Sequence, residues 1–258
     1  MVQGMDIDAI VEKVTREVLE RLEKERGEGS AATGCRGGAK DPGADIAGAI
    51  EHSVLNPDTT ADRIIEACGE ARELRMANVC VSPYYVPLAA ERLKGSGVKV
   101  CAAVGFPHGA ASTAAKVAEA KEAIKNGAEE LDVAMNILAI KNADTDEAVR
   151  DLKAVVDVAR GRAAVKAIYE QGLYTEAEKR AALNVAKAAG ADFVKISNAL
   201  TGKKACAQDV RFVRGVLGPG VGIKIDGGIS DAATVRELMA AGAQRFGCSK
   251  SVQIIKGK

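Results

Sequence analysis

From Asp45 onward the chain alternates short apolar runs with longer amphipathic stretches, and this alternation limits its fold more than any other feature. The runs that read as strands are Ile46–Ile50, Asn78–Ser82, Val98–Gly105, Glu130–Met135, Ala164–Ile168, Phe193–Ile196, Gly222–Ile225 and Arg245–Cys248. Ala61–Leu74, Ser112–Asn126, Thr145–Ala159, Glu176–Ala189, Ala207–Val216 and Ala232–Ala241 read as the helices between them. Several strands are continuously apolar, as expected when both faces are covered. Gly127, Gly190 and Gly242 stand where helices close, because a left-handed cap costs glycine little. About eight strand–helix units predict an α/β fold of the (β/α)8 TIM-barrel type. A doubly wound open sheet is the alternative. No GxGxxG follows the first strand, which argues against a dinucleotide site.

Two further segments precede the alternating region. Within residues 1–26, Ile7, Ile10, Val11, Val14, Val18 and Leu22 recur at three- and four-residue spacing, with Glu, Lys and Arg on the other face. This predicts a detached amphipathic helix over residues 5–26. Residues 27–44 are rich in Gly and Ala and read as a flexible linker. The expected organisation is therefore helix, linker and a barrel domain over residues 45–258.

The bulk numbers exclude several function classes. A formal charge of +1 on 258 residues argues against nucleic-acid and membrane-surface partners. The chain has no Trp and 3% aromatics, too few for a base-stacking platform. No apolar run approaches the roughly 20 residues that span a bilayer, and the charged N-terminus does not read as a secretory signal. These features point to a cytoplasmic protein. Six scattered cysteines without a CxxC pair, and only two histidines, give no zinc pattern, so no metal or cofactor is expected. Cys80 and Cys101 fall within strands and read as small core hydrophobes in preference to residues that line the site.

In a barrel, chemistry belongs at the C-terminal ends of the strands. Lys195 and Lys224 each follow a short apolar run there. Burial and a second nearby cation both lower a lysine pKa and leave a neutral, nucleophilic amine, the requirement for Schiff-base chemistry on a carbonyl. Asp132 on the fourth strand is costly inside a barrel unless paired, and beside a lysine it can move protons. Its alternative reading is a structural salt bridge to Lys166 or Lys195. Glu51, Ser53, Lys166 and Ser197 read as supporting residues, with Glu51-His52-Ser53 closing the first strand and Glu170 near the end of the fifth. Gly227 and Gly228 after the seventh strand, and Gly247, Ser249 and Lys250 after the eighth, lie where barrels bind phosphate through bare backbone N–H groups. His52 reads equally as a ligand to a substrate hydroxyl and as a structural hydrogen-bonding residue. His108, Tyr84 and Tyr85 read as loop support and packing.

Together these residues carry a family resemblance. Glu51-His52-Ser53-Val54-Leu55-Asn56-Pro57, Val79-Cys80-Val81-Ser82-Pro83, Tyr85-Val86-Pro87-Leu88-Ala89, Val104-Gly105-Phe106-Pro107-His108-Gly109-Ala110, Glu130-Leu131-Asp132-Val133, Gly190-Ala191-Asp192-Phe193-Val194-Lys195 and Val221-Gly222-Ile223-Lys224 with Gly227-Gly228-Ile229 resemble the deoxyribose-phosphate aldolases. The resemblance covers about Ile46 to Ile255. It implies a class I aldolase that cleaves 2-deoxy-D-ribose 5-phosphate to glyceraldehyde 3-phosphate and acetaldehyde. Lys195 would carry the Schiff base, Lys224 would lower its pKa and Asp132 would relay protons. Such barrels often dimerise.

The chain departs from the family pattern at several positions. Glu51-His52-Ser53 replaces Asp-His-Thr, and Ile196-Ser197-Asn198-Ala199 replaces Thr-Ser-Thr-Gly. Gly202 and Lys203 would supply donors that compensate for the second departure, in the loop after the sixth strand. Ile225-Asp226 stands where the family has a small residue and then Ala or Ser, and Lys250 replaces the second of two serines. A carboxylate at Asp226, close to the phosphate pocket, is unfavourable for a dianion, and Lys250 offsets it. Two other functions fit the same residues: an aldolase for a different sugar phosphate, and a catalytically weakened barrel serving as a binding or scaffold protein. The N-terminal helix and linker read either as a helix that packs on its own domain or a sister subunit or, by resemblance to the encapsulation peptides of enzymes housed in bacterial microcompartments, as a segment whose residues 5–26 dock on a shell protein or on other copies of the same segment.

Overall fold

The computed structural model describes residues 45–198 and 200–257. The N-terminal helix and linker expected over residues 1–44 lie outside the described residues.

Eight parallel strands close into a barrel in sequence order, each hydrogen-bonded to its predecessor and β1 to β8. They are β1 (Ile50–Val54), β2 (Asn78–Val81), β3 (Lys99–Val104), β4 (Glu130–Ala134), β5 (Ala164–Glu170), β6 (Phe193–Ser197), β7 (Gly222–Asp226) and β8 (Arg245–Cys248). Closure rules out the open sheet. The helices are α1 (Ala61–Leu74), α2 (Val86–Leu93), α3 (Thr113–Lys125), α4 (Ile137–Lys141), α5 (Thr145–Ala159), α6 (Glu176–Ala189), α7 (Ala207–Leu217), α8 (Ala232–Ala240) and α9 (Ser251–Lys256).

Local chemistry sets the helix boundaries. Thr60, Ser112, Asn136, Asp144 and Asp231 each accept a hydrogen bond from a backbone N–H of the first turn they precede. Thr175 and Glu178 form a reciprocal capping box on α6. At the other end, Gly190 takes φ 80° and closes α6 as the left-handed cap. Gly127 and Gly242 also have positive φ, but they lie one residue past the caps Asn126 and Ala241.

The first strand is displaced from the sequence expectation. Ala47–Ala49 form a single 3-10 turn, and the strand runs Ile50–Val54. Glu51 and His52 are therefore inside the strand. Their polarity masks the strand in a hydrophobic reading, yet both are buried.

The alternation of side chains along each strand separates two environments. Outward residues such as Val79, Val100, Leu131, Val133, Val194 and Ile223 are essentially fully buried beneath the helices. Each such side chain contributes roughly 1.5–3 kcal/mol by leaving water. The inward residues are polar to an unusual degree, and they form the site.

Candidate active site

Residues two apart on a strand face the same side, so β4 sends both Glu130 and Asp132 into the barrel, and β7 sends both Lys224 and Asp226. Register then aligns the strands: Asp132 lies opposite Lys166, and Lys195 opposite Lys224. The result is a buried network of four cations, Lys166, Lys195, Lys224 and Arg245, and four carboxylates, Glu51, Glu130, Asp132 and Asp226. The half-exposed Lys99 adds a further cation on Glu130 at 3.4 Å, and every carboxylate of the network has a cationic partner, which is the condition for placing so many ions inside a fold.

Asp132 is the hub. Its Oδ2 accepts from Lys195 Nζ at 2.9 Å and from Lys224 Nζ at 2.7 Å, while Oδ1 accepts from Lys166 Nζ at 3.2 Å. Lys224 also donates to Glu51 Oε2. Lys166 pairs with Glu130 at 2.6 Å, and Arg245 holds Glu130 from below at 3.2 Å. Lys195 has a second partner, Asp226 Oδ2 at 2.7 Å. The salt bridges of the structural reading of Asp132 are present to both Lys166 and Lys195.

These contacts set the protonation pattern. Burial would raise the Asp132 carboxyl, but Lys195, Lys224 and Lys166 hold it well below the usual carboxylate range. Burial would raise Glu130 too, but Lys166 and Arg245 bring it down to about 2. Burial pushes the Lys195 ammonium down, and Asp132 and Asp226 more than reverse this, while Lys224 opposes them. The balance lies above the ordinary lysine range. This corrects the expectation that Lys224 leaves Lys195 neutral in the unliganded protein. Lys224 acts in the expected direction, but two carboxylates outweigh it.

Several sequence-predicted residues change place. Lys166 lies deep in the barrel among three carboxylates and not at the rim. Cys80 and Cys101 face the barrel interior, where their thiols donate to Asp132 at 3.7 and 3.3 Å, so the site-lining alternative holds over the core reading. His52 faces outward, between Ser251 at 3.0 Å and Glu70 at 2.9 Å, so its structural reading holds and the substrate reading falls. Tyr85 packs as expected and donates to the Thr59 carbonyl, whereas Tyr84 is 83% exposed. His108 is exposed in the loop after β3, and the ring of Phe106 in that loop stands 6.0 Å from Lys195 Nζ.

The residues expected to hold phosphate divide into two groups. The loop carrying Gly202 and Lys203 abuts Gly227-Gly228, and the Ala205 N–H donates to the Gly227 carbonyl at 2.9 Å. A Cβ on Gly228, where φ is 67°, would come within 2.9 Å of Lys204 Cγ. Glu170 accepts from the Leu200 N–H at 2.9 Å, and Gln171 donates to Asp209 at 2.8 Å, bracing the same loop. Ser249 and Lys250 are exposed past β8. Gly247 is inside β8 beneath the Asp226 carboxylate. Ser53 sits at the mouth near Ser249, and its buried hydroxyl oxygen has no partner among the described residues. Ser197 is buried at the end of β6.

Sequence reasoning missed Glu130 and Arg245. The signal for Glu130 was its spacing of two from Asp132. Two groupings of acidic and thiol groups have a geometry that would suit a metal ion: Cys80, Cys101 and Asp132, and Glu51, Cys101 and Glu130. Lys166 Nζ already supplies a cation to both, 3.4 Å from Cys101 and 3.2 Å from Asp132.

A closed parallel barrel with paired lysines and a shared aspartate inside its C-terminal mouth defines a barrel enzyme equipped for lysine chemistry. Residues 37–252 match the DeoC/LacD family aldolase model, and the chain belongs to that family. It is 45% identical to the deoxyribose-phosphate aldolase of Geobacillus sp. (strain WCH70) over 213 residues, which covers 83% of this chain and 96% of that one. It is 46% identical to deoxyribose-phosphate aldolase 1 of Bacillus licheniformis over 212 residues, 82% of this chain and 95% of that one. Among solved structures, the tetrameric deoxyribose phosphate aldolase of Aeropyrum pernix matches with a TM-score of 0.77 at 27% identity, covering 83% of this chain and 91% of the other. Among the described residues no helix is long and apolar enough to cross a membrane.

Proposed function

We propose that the chain cleaves 2-deoxy-D-ribose 5-phosphate to D-glyceraldehyde 3-phosphate and acetaldehyde through a Schiff base on Lys195. One observation carries the reading: Lys195 and Lys224 share a single oxygen of Asp132 inside the barrel mouth. A second ammonium on the same carboxylate weakens the hold of that carboxylate on the first. Once Lys195 gives up its proton, its nitrogen attacks C1 of the open-chain sugar and water leaves. The resulting iminium withdraws electrons as the C3 hydroxyl loses its proton and the C2–C3 bond breaks. Glyceraldehyde 3-phosphate departs, and an enamine of acetaldehyde remains on the lysine. Asp132, in contact with Lys195 and Lys224, relays the proton that is added at C2. Gly202, Lys203, Gly227, Gly228, Ser249 and Lys250 frame the phosphate end.

Borohydride added with deoxyribose 5-phosphate tests this. A stable adduct on Lys195, found by peptide mapping, is the expected result; a label on another lysine, or none, overturns it. A coupled assay for glyceraldehyde 3-phosphate across a panel of sugar phosphates separates this substrate from a different one. The same assay separates either from a barrel that binds without turnover.

We also propose that residues 5–26 direct the enzyme to a bacterial microcompartment shell. The apolar spacing of that segment supports the reading, as does its position ahead of the family match, which begins at residue 37. A shell would retain acetaldehyde, which is volatile and reactive. Deletion of residues 1–26 is expected to leave turnover intact and abolish co-purification with shell protein. Loss of turnover on deletion would assign the segment to the enzyme instead.

A further inference from the structure

Asp226 ends β7 two residues beyond Lys224, so both face the barrel interior and Asp226 stands one layer nearer the mouth. Its Oδ2 lies 2.7 Å from Lys195 Nζ, while Oδ1 is buried with no hydrogen-bond partner among the described residues. The carboxylate occupies space that only a glycine opposite leaves open, since a Cβ on Gly247 would come within 1.9 Å of Oδ1. Asp132, on the deeper side of Lys195, is differently engaged. It is fully buried, and three ammonium groups and two thiols already donate to it. Lys195 thus has two carboxylate partners: one committed to a fixed network, the other one-fifth exposed at the mouth.

We propose that Asp226 is the proton acceptor and donor for Lys195 during Schiff-base formation. The proposal rests on the reading of Lys195 as the nucleophile. As a carbonyl enters from the mouth, Oδ2 takes one proton from the ammonium, and the freed nitrogen pair forms the C–N bond. A second N–H proton passes to the carbonyl oxygen, giving a neutral carbinolamine beside a protonated Asp226. The carboxyl then returns its proton to the carbinolamine hydroxyl, water leaves, and the nitrogen pair completes the iminium. Charge is conserved, because the cation begins as the ammonium and ends as the iminium, and Asp226 is a carboxylate at both ends. Pairing with Lys195 also cancels the charge that Asp226 would otherwise set against a phosphate dianion.

The groups facing Lys195 that shape any pH response are Asp132 from β4, Lys224 and Asp226 from β7, and the Phe106 ring after β3. Around Asp132 lie Lys166, Lys224, Cys80 and Cys101, and Glu51 pairs with Lys224 and Lys166.

Acetaldehyde and cyanoborohydride, with wild type, Asp226→Asn and Asp226→Glu compared over a pH series, read the rate and position of adduct formation. Asp226→Asn is expected to keep the adduct on Lys195 but to form it about 10²-fold more slowly, the lower end of general acid–base contributions. Asp226→Glu, which keeps a carboxylate, is expected to recover part of that rate and the wild-type shape of the pH profile. An Asn variant that traps as fast as wild type or faster overturns the proposal, as does a Glu variant no faster than Asn. Asp226→Ser repeats the test if the Asn variant does not fold. An adduct on Lys195 at equal rates removes only the role of Asp226, whereas wild type with no adduct on Lys195 removes the nucleophile assignment and this proposal with it.

Discussion

Lys195 and Lys224 donate to the same atom, Asp132 Oδ2, at 2.9 and 2.7 Å, although they stand on different strands and reach a residue on a third. Two ammonium groups on one oxygen repel each other, and the network tolerates this because Glu51 and Asp226 each take a share. Removing Asp132, Asp226 or Lys224 therefore shifts the protonation of Lys195.

Lys224→Met removes a nearby cation that lowers Lys195. Lys195 then holds its proton more tightly, and less neutral amine is present at a given pH. The ascending limb of log kcat/KM against pH is expected to move to higher pH. Turnover at neutral pH falls roughly tenfold for every pH unit that the limb moves. A limb that stays in place would separate Lys224 from the tuning of Lys195.

Glu130 links acid sensitivity to the deepest part of the network. Its carboxyl lies near its ordinary 4.5 in the unfolded chain and at about 2 in the fold. Its contribution is present above about pH 4.5 and is lost as pH falls toward 2. That interval corresponds to roughly 3 kcal/mol. Urea unfolding over this range should show wild type losing stability steeply and Glu130→Gln losing less. Equal slopes would show that Glu130 is not the titrating group.

Gly228→Ala puts a Cβ within 2.9 Å of Lys204 Cγ at a φ of 67°. The left-handed conformation alone costs an L-residue about 1–2 kcal/mol. The variant should raise KM for a phosphorylated substrate while leaving reductive trapping of acetaldehyde, which has no phosphate, near wild type. Equal losses in both assays would place the effect on the whole barrel.

Lys116 and Asp151 form a buried pair between α3 and α5 at 2.6 Å, apart from the lysine network. Lys116→Met leaves the Asp151 charge buried with the Thr113 hydroxyl donating to it. A loss of about 3–5 kcal/mol in unfolding free energy is expected, with kcat of the folded enzyme unchanged. A change in kcat would tie this pair to the site.

Much of the scaffold is legible from the chain. Ala61–Leu74, Thr145–Ala159 and Glu176–Ala189 are helices with the expected bounds, because caps and periodicity are local signals. The first strand was misplaced because Glu51 and His52 look like surface residues until Lys224 of β7 pairs with Glu51 and Glu70 of α1 hydrogen-bonds His52. Lys195, Lys224 and Asp132 stand out as charges at the ends of, or within, apolar runs. Glu130 and Arg245 did not, since their pairing joins residues 115 apart in sequence. The Asp226 side chain was visible as a departure near the phosphate pocket, but its engagement with Lys195 was not.

The order of residues determined by itself that strands and helices alternate, where most begin and end, and which ionisable groups lie on buried strands, because these follow from local hydrophobic period and capping chemistry. Closure of the barrel decided what those groups do. The register of eight strands brings Asp132, Lys195 and Lys224 to one point in a region shielded from water, and only there do their mutual fields, and not their separate identities, set which of them carries a proton.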